Sequence, residues 1–507
     1  MTTPASSTLS TRSSGSSAEL MMAFEAFARP LFEESGIPGV SLAVLLPDGD
    51  HILNLGVTSV ENPLPITSDT LFQIGSTTKT FTSLLISVLE AEGKLRVGDR
   101  VRDHLPEFKL KDDSAADDVT LLDLLSHQGG FQGDLFEDTG DGDDALAKVL
   151  DILAESRQVV PLRGHWSYNN AGFYVVGRVA EVVTGQTFEA AVTERIFKPL
   201  GMDHSMFSVN EIMTHRFATG HNKLEDKIEI QRPWLMMRSV GPAGSISSTV
   251  TDMLRYSHYI LSGTLPPKPP AAQGAAPSTD GPPALDGYGK PIKVVPATES
   301  MLPKVDRPKL WSPVRPIGIS MNGFPGTAGQ MGQSWFNDRY PEATLISHGG
   351  TTLGQTSDYW LAPDQHVGFI SLTNANTGHA LGRKLSDWLK REVLGLTPQE
   401  HPVHIPAPGT LAEFTGSHER VGMSSKITVT QGGEGLILTL PDDLTGGTRS
   451  APLSFITPDT ALISDGELKG YAVEFLRNEQ GSVDFIRVAG RLFPREVTEQ
   501  AGVGPSA

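Results

Sequence analysis

The sequence predicts an α/β chain of the α+β type: an antiparallel sheet flanked by helices, followed by an all-β C-terminal domain, a small barrel or sandwich. Three observations lead there. Strand-like apolar runs occupy residues 39–58 and return at 343–373. Apolar residues recur at helical spacing from Thr77 to Gly93 and from Phe173 to Gly185. Beyond residue 400 only short, turn-punctuated strand patterns remain. Neither strand group covers its own faces, so both are expected in one sheet against the helices.

The elements follow in order. GVSLAVLL and HILNLGVT flank the turn PDGD, where Asp48-Gly49 signals a hairpin. Phe81, Leu84, Leu85, Val88 and Leu89 make one helical face, which Gly93 closes. VTLLDLLSHQGG reads as a short helix running into a glycine loop, and a longer helix follows YNNAG. TLISHGG, TSDYWLA and VGFISLTN read as adjacent antiparallel strands, and SDWLKREVLGL as a closing amphipathic helix.

The expected domains are a Ser/Thr-rich disordered leader (1–19), a catalytic domain (20–400) and a C-terminal β-domain (401–507). A Pro/Gly/Ala-rich insertion at 264–314 buries little and reads as a flexible loop, with order returning by about residue 343.

Composition narrows the function. A net charge of −18 repels phosphate and argues against nucleic acid as the partner. With no cysteine, disulfides, thiol nucleophiles and cysteine-ligated metals are excluded. The leader lacks an apolar segment of signal-peptide length and no run is long enough to span a membrane, so a cytoplasmic location without membrane contact is expected. His401 and His404 lie in a Pro-rich linker and read as solvated side chains; no metal or other cofactor is called for.

Three short motifs carry chemistry. Ser76-Thr-Thr-Lys79 is the only S-x-x-K in the chain and opens an apolar helix. Serine is a poor nucleophile without a base in reach, and a lysine one turn on can serve if burial lowers its pKa. Read alone, the pair is equally a capping serine and a surface lysine. Tyr168-Asn169-Asn170 is the only Y-x-N among 8 tyrosines. Tyr168 could share a proton with Lys79 and Ser76, as phenolate or relay, and Asn170 could hold Lys79 and a substrate amide; a helix cap beside a core tyrosine is the plainer alternative. His348-Gly349-Gly350-Thr351 lies in a strand setting. Its glycines would admit a substrate backbone, and the Thr351 N–H could join that of Ser76 in an oxyanion hole. H-x-G recurs at His127 and His366, so only its place in the order selects it.

Together these motifs resemble the serine β-lactamase and penicillin-binding-protein superfamily, in its class C, D-aminopeptidase and esterase branch. The likeness extends through LFQIGSTTKTFTSLLISVLEAEGKLRVGDRV, WSYNNAGFYVVGRVAEVVTGQTF, GPAGSISSTVTDMLRY and HGGTTLGQTSDYWLAPDQHVGFISLTN, in the family's order over about residues 20–395. It implies a β-lactamase-like catalytic domain with a helical lobe. It also implies an acylated nucleophile at Ser76, its partner base at Lys79, an acid and base at Tyr168, and a substrate-amide contact at Asn170. The C-terminal β-domain resembles a lipocalin-like appendage, which implies homo-oligomer assembly or closure of the site.

One departure is informative. Where β-lactamases and D,D-peptidases carry K-T-G, this chain has His348-Gly349-Gly350. The cation and hydroxyl that bind a substrate carboxylate are thereby lost. The resemblance therefore implies a serine hydrolase, a peptidase or amidase or else a carboxylesterase, that acts on a small-molecule or short-peptide amide or ester. A β-lactamase or D,D-peptidase is the first alternative. A non-catalytic scaffold or ligand sensor keeping the fold is the alternative of another class.

Overall fold

The computed structural model describes residues 16–224, 227–264, 302–324, 327–398, 401–407, 409–442, 447–466 and 468–496. Most of the expected leader and residues 265–301 of the insertion lie outside the described residues.

An eight-stranded antiparallel sheet organises the chain up to residue 400. Its spatial order is Gly49–Gly56, Gly39–Leu46, Val367–Thr373, Gln355–Ala362, Thr344–Thr352, Phe336–Arg339, Ala328–Met331 and Arg315–Ile319. The early hairpin thus joins the late strands, with Val40 opposite Thr373 and Ala43 opposite Ile370. All eight positions of Gly39–Leu46 are buried, because helices cover both faces. Leu42 and Val44 pack with Phe24 of the helix Ser17–Ser35 and with Leu385 and Leu389 of the helix Gly378–Glu392. Ala43 and Leu45 face the opposite way, into a core shared with Leu84 and Val88 of the helix Thr78–Ala91. Each large apolar side chain so buried contributes about 1.5–3 kcal/mol.

That second core extends into the helical lobe, where Ala171–Thr184 packs Phe173, Val176 and Val179 against the helix of Lys79. Gly185 ends Ala171–Thr184 in a left-handed conformation, φ 66°.

Two expectations need correction. The helix Ser17–Ser35 begins inside the stretch read as leader. Ser16 caps it, accepting the Glu19 N–H at 3.4 Å, while the Glu19 carboxylate accepts the Ser16 N–H at 3.0 Å. This capping box is hidden in a Ser/Thr-rich composition. Regular structure also returns well before residue 343: the helix Pro308–Trp311 lies within the expected insertion, and three sheet strands follow it. These strands have four or five residues; the first two are interrupted by Gly, Pro or Gln and the third, FNDR, has a single apolar residue, so no period of two shows in their sequence.

The C-terminal eight strands, from Gly416–Glu419 to Arg491–Pro494, pair in sequential order. His418 bridges Arg495, and the Glu496 N–H donates to Ser417 O at 2.9 Å, so the first and last strands meet. The result is a nearly closed antiparallel barrel around Phe414, Phe455, Phe475 and Ile486. It docks on the outer strand of the large sheet. Arg487 donates to Ile317 O, and the half-buried Glu474 accepts the Ile319 N–H. Any side chain at Gly318 would collide with Glu474. The open edge of the sheet is thereby capped.

Candidate active site

Ser76 occupies a single 3-10 turn, Gly75–Thr77, at the entrance to the helix Thr78–Ala91. Two glycines bring the strand Thr344–Thr352 directly against this turn. A Cβ on Gly350 would collide with Ile74 O, and one on Gly75 would stand 2.7 Å from Thr351 N. Ser357 donates to Ile74 O at 2.8 Å and hydrogen-bonds Thr77 Oγ1 at 2.8 Å, which pins the contact. The Thr351 backbone therefore lies beside the Ser76 turn, the juxtaposition an oxyanion hole from these two N–H groups requires.

Lys79 lies fully buried behind Ser76. Its Nζ is 3.1 Å from Ser76 Oγ and 2.7 Å from Ala243 O. It forms no ion pair with the described residues; what surrounds it is aromatic, with the Tyr168 ring centre at 5.1 Å and that of Phe173 at 5.4 Å. Burial, and then the Arg491 cation, hold its pKa well below the ordinary lysine value, while Asp134 acts the other way. The Ala243 carbonyl takes one N–H, so a neutral Lys79 can turn its lone pair to the Ser76 hydroxyl.

Tyr168 is also buried. Its hydroxyl makes no hydrogen bond of regular geometry. Burial pushes its pKa up, and the neighbouring Ser76 hydroxyl draws it only partly back, so Tyr168 rests as a phenol. His127 stacks on its ring, with centroids 4.4 Å apart. The His127 Nδ1 accepts the Asn169 N–H at 2.9 Å, and burial keeps the imidazole neutral.

Asn170 differs from expectation. Its amide donates to Asp134 Oδ1 at 2.7 Å and forms no hydrogen bond with Lys79. Asp134 in turn accepts from Arg491 Nε at 2.6 Å, and the Arg491 guanidinium carbon lies 4.9 Å from the Tyr168 ring centre. The helix-capping role falls to Asn169, whose Oδ1 accepts the Gly172 N–H at 2.8 Å.

His348 is buried, with Nδ1–H donating to Gly349 O at 2.6 Å and Nε2 left without a partner. Burial, followed by the Lys79 charge, pushes its pKa down to about 3, so the imidazole is neutral. Beside it, His379 Nε2 is 2.8 Å from Thr351 Oγ1, and its Nδ1 is 2.7 Å from Asp358 Oδ1.

These groups open on one cavity of about 840 Å³. Ser76, Tyr168, Asn170, His348, Gly349, Gly350 and Thr351 all line it, and Lys79 lies just behind Ser76. Phe136, Leu235, Met237, Val240 and Leu353 give it an apolar wall. The C-terminal barrel contributes Leu468, Tyr471, Ala489 and Arg491. Sequence reasoning missed His127, Asp134, His379 and Arg491. His127 does carry an H-x-G, but a motif selected only by its place in the order does not single it out. No cluster of three or more His, Asp or Glu among the described residues is arranged to hold a metal, and no described helix is long and apolar enough to cross a membrane.

With this geometry in view, comparison with known proteins is decisive for the family. The beta-lactamase family model matches residues 24–392. The chain belongs to the beta-lactamase family. It is 32% identical over 394 residues to penicillin-binding protein 4 of Amycolatopsis lactamdurans, covering 77% of this chain and 95% of that relative. Among solved structures, SurE matches with a TM-score of 0.71 at 20% identity, over 95% of this chain and 100% of SurE. A class C beta-lactamase from Rhodobacter sphaeroides matches with a TM-score of 0.55 at 21% identity, over 73% of this chain and 99% of its own. At these identities the two structures speak for the fold. The difference in coverage means that SurE shares nearly the whole architecture of this beta-lactamase-family chain, whereas the class C enzyme leaves about a quarter of it unmatched.

Proposed function

We propose that the chain is a serine hydrolase that cleaves an amide or ester through a covalent acyl-enzyme on Ser76. The observation that carries this reading is Lys79: a fully buried amine with no counter-ion among the described residues, 3.1 Å from a serine hydroxyl. Such a group is expensive to keep for structure alone, and it becomes useful only as a base. Ser76 passes its proton to Lys79 as its oxygen attacks the carbonyl, and the developing oxyanion faces the Ser76 and Thr351 N–H groups. Tyr168, protonated at rest, gives its proton to the leaving group and regains one through Lys79. Water then attacks the ester, passing a proton back through the same pair, and Ser76 is released.

The cavity supports a substrate larger than a simple ester, with an apolar acyl portion against Leu235, Met237 and Val240. Asn170 and the Gly349–Thr351 edge suit a peptide-like amide, which favours a peptidase or amidase over a carboxylesterase. A second reading, a β-lactamase or D,D-peptidase, draws support from the penicillin-binding-protein relative. The neutral His348, standing where carboxylate binders carry lysine, weighs against it.

The test is intact-mass detection of acyl adducts with p-nitrophenyl esters, D- and L-amino-acid anilides and a chromogenic cephalosporin, in wild type and Ser76→Ala. An adduct on Ser76 is expected, with turnover reduced by about 10⁴ or more in the variant. An adduct on another serine, or normal turnover without Ser76, overturns the reading.

A further inference from the structure

The tip of one barrel hairpin reaches the catalytic residues. Val483–Val488 and Arg491–Pro494 pair with Val488 opposite Arg491, leaving Ala489 and Gly490 as a two-residue turn. Both have positive φ, 47° and 76°, as the twist-matched I′ hairpin turn requires. This turn and the strand after it are hydrogen-bonded to the Tyr168 segment, once backbone to backbone and once to a serine side chain. The Tyr168 N–H donates to Gly490 O at 2.8 Å, and the Leu492 N–H donates to Ser167 Oγ at 3.2 Å. A side chain on Gly490 would press on Met321 and Trp166. The placement of residue 491 is therefore tied to that of residue 168.

What the turn delivers is a guanidinium. Arg491 engages Asp134 through Nε at 2.6 Å and Nη2 at 3.4 Å, and Asp134 holds the Asn170 amide. The same guanidinium stands 4.9 Å from the Tyr168 ring centre and lines the cavity, with 32% of its side chain accessible. Asp134 thus links a residue of the barrel to a substrate-facing residue of the catalytic domain.

We propose that Arg491 is a positioning residue of the acyl-transfer centre: it fixes Asp134 and Asn170 and sets a permanent cation beside Tyr168 and Lys79, so that the barrel completes the active site. The proposal rests on the acyl-enzyme reading above. Its consequence is that the barrel matters even for a substrate too small to touch its walls. The charged and titratable groups that meet here are Lys79 from the first lobe helix, His127 and Asp134 from the loops that follow, Tyr168, the buried Tyr174 phenol of the next helix, His348 from the sheet and Arg491 itself. Arg491 opposes a positive charge on Lys79 and favours a negative one on Tyr168, whereas Asp134 does the reverse. Removing the arginine leaves Asp134 unopposed, and the acid limb of activity moves to higher pH.

The experiment compares wild type, Arg491→Ala and Arg491→Lys in the full chain, using p-nitrophenyl acetate. It follows Ser76 acylation by mass, kcat and KM separately, the pH profile, and recovery with added guanidinium ion. Thermal melting controls for folding. In Arg491→Ala, acylation is expected to fall about 100-fold, mainly in kcat, consistent with loss of a positioned charged group. Its acid limb should move up, and guanidinium should restore part of the rate. Arg491→Lys keeps the charge without the two-pronged grip and should keep the limb while recovering only part of kcat. Acylation within threefold of wild type with an unmoved limb overturns the proposal. So does a loss that neither guanidinium nor lysine relieves, because that is the signature of a damaged interface. A wild type that acylates elsewhere than Ser76 overturns the catalytic reading and this proposal with it; an adduct on Ser76 with an indifferent Arg491→Ala overturns this proposal alone.

Discussion

Lys79 Nζ lies 2.7 Å from the carbonyl oxygen of Ala243, and that one hydrogen bond is the main polar compensation for burying it beside Ser76. An amine held this way lowers stability. Its folded pKa is depressed by burial, while the unfolded chain keeps an ordinary lysine near ~10.4. Between those two values the unfolded state holds a proton that the native state lacks, so stability falls as pH drops through that window. Lys79→Met removes the penalty. It should abolish turnover yet raise stability at pH 7 by about 0.5–2 kcal/mol, an advantage that shrinks as pH approaches ~10.4. Thermal unfolding at pH 7 and pH 10 checks this. A variant less stable than wild type at pH 7 would contradict the buried-base assignment.

The pH dependence of activity should separate the two candidate bases. Burial pushes the Tyr168 phenol up and the Lys79 amine down, so the acid limb belongs to the amine. Tyr168→Phe should lose about 10²–10⁴ in rate by removing the proton relay while keeping an acid limb well below the pKa of a free lysine. The measurement is single-turnover acylation of Ser76 against pH. If the limb vanishes along with the phenol, Tyr168 is the titrating base and the order of proton transfers proposed above is wrong.

Gly350 tests the contact between sheet and nucleophile. A methyl group there collides with Ile74 O, so Gly350→Ala must push the strand Thr344–Thr352 away from the Ser76 turn. Displacement of about 1 Å at an oxyanion hole is expected to reduce acylation about 100-fold, and overpacking costs about 1–3 kcal/mol in stability. Burst kinetics and thermal melting report both effects. Normal burst amplitude and rate in a folded variant would remove Thr351 from the oxyanion hole.

Much of this was legible in the residues. Apolar residues at helical spacing and a glycine at or just past the end gave the Lys79 helix and the helix ended by Gly185, although both prove buried on nearly every side and not on one face alone. The motif order brought Ser76, Tyr168 and His348 into one cavity. The short strands before residue 343 were not legible: they pair with their immediate neighbours in the chain through backbone bonds, and four or five residues each leave no apolar alternation to read. Arg491 was invisible for a different reason. It is an ordinary arginine after an Ala-Gly turn, and only the docking of the barrel sets it against Asp134, 357 positions earlier in the chain.

Substrate preference follows from His348 and Gly349. The imidazole is neutral, with its proton committed to Gly349 O, so it offers a carboxylate no charge. A missing charge-assisted hydrogen bond is worth roughly 1.5–3 kcal/mol, or about 10- to 150-fold in recognition. Wild type should therefore turn over a short-chain p-nitrophenyl ester with a higher kcat/KM than a chromogenic cephalosporin. The double substitution His348→Lys with Gly349→Thr should move that ratio towards the cephalosporin by about tenfold or more. Space at Gly349 allows it, because a Cβ there meets Ser357 O at 3.5 Å, Asn322 Oδ1 at 3.6 Å and His379 Cε1 at 3.7 Å, all ordinary contacts. A second ammonium near Lys79 would depress that base further, so the acid limb should move to lower pH in the same variant. A wild-type cephalosporin kcat/KM equal to or above the ester's would mean that the cavity finds its carboxylate partner elsewhere. The Thr351–His379–Asp358 chain beside Gly349 would then be the group to substitute next.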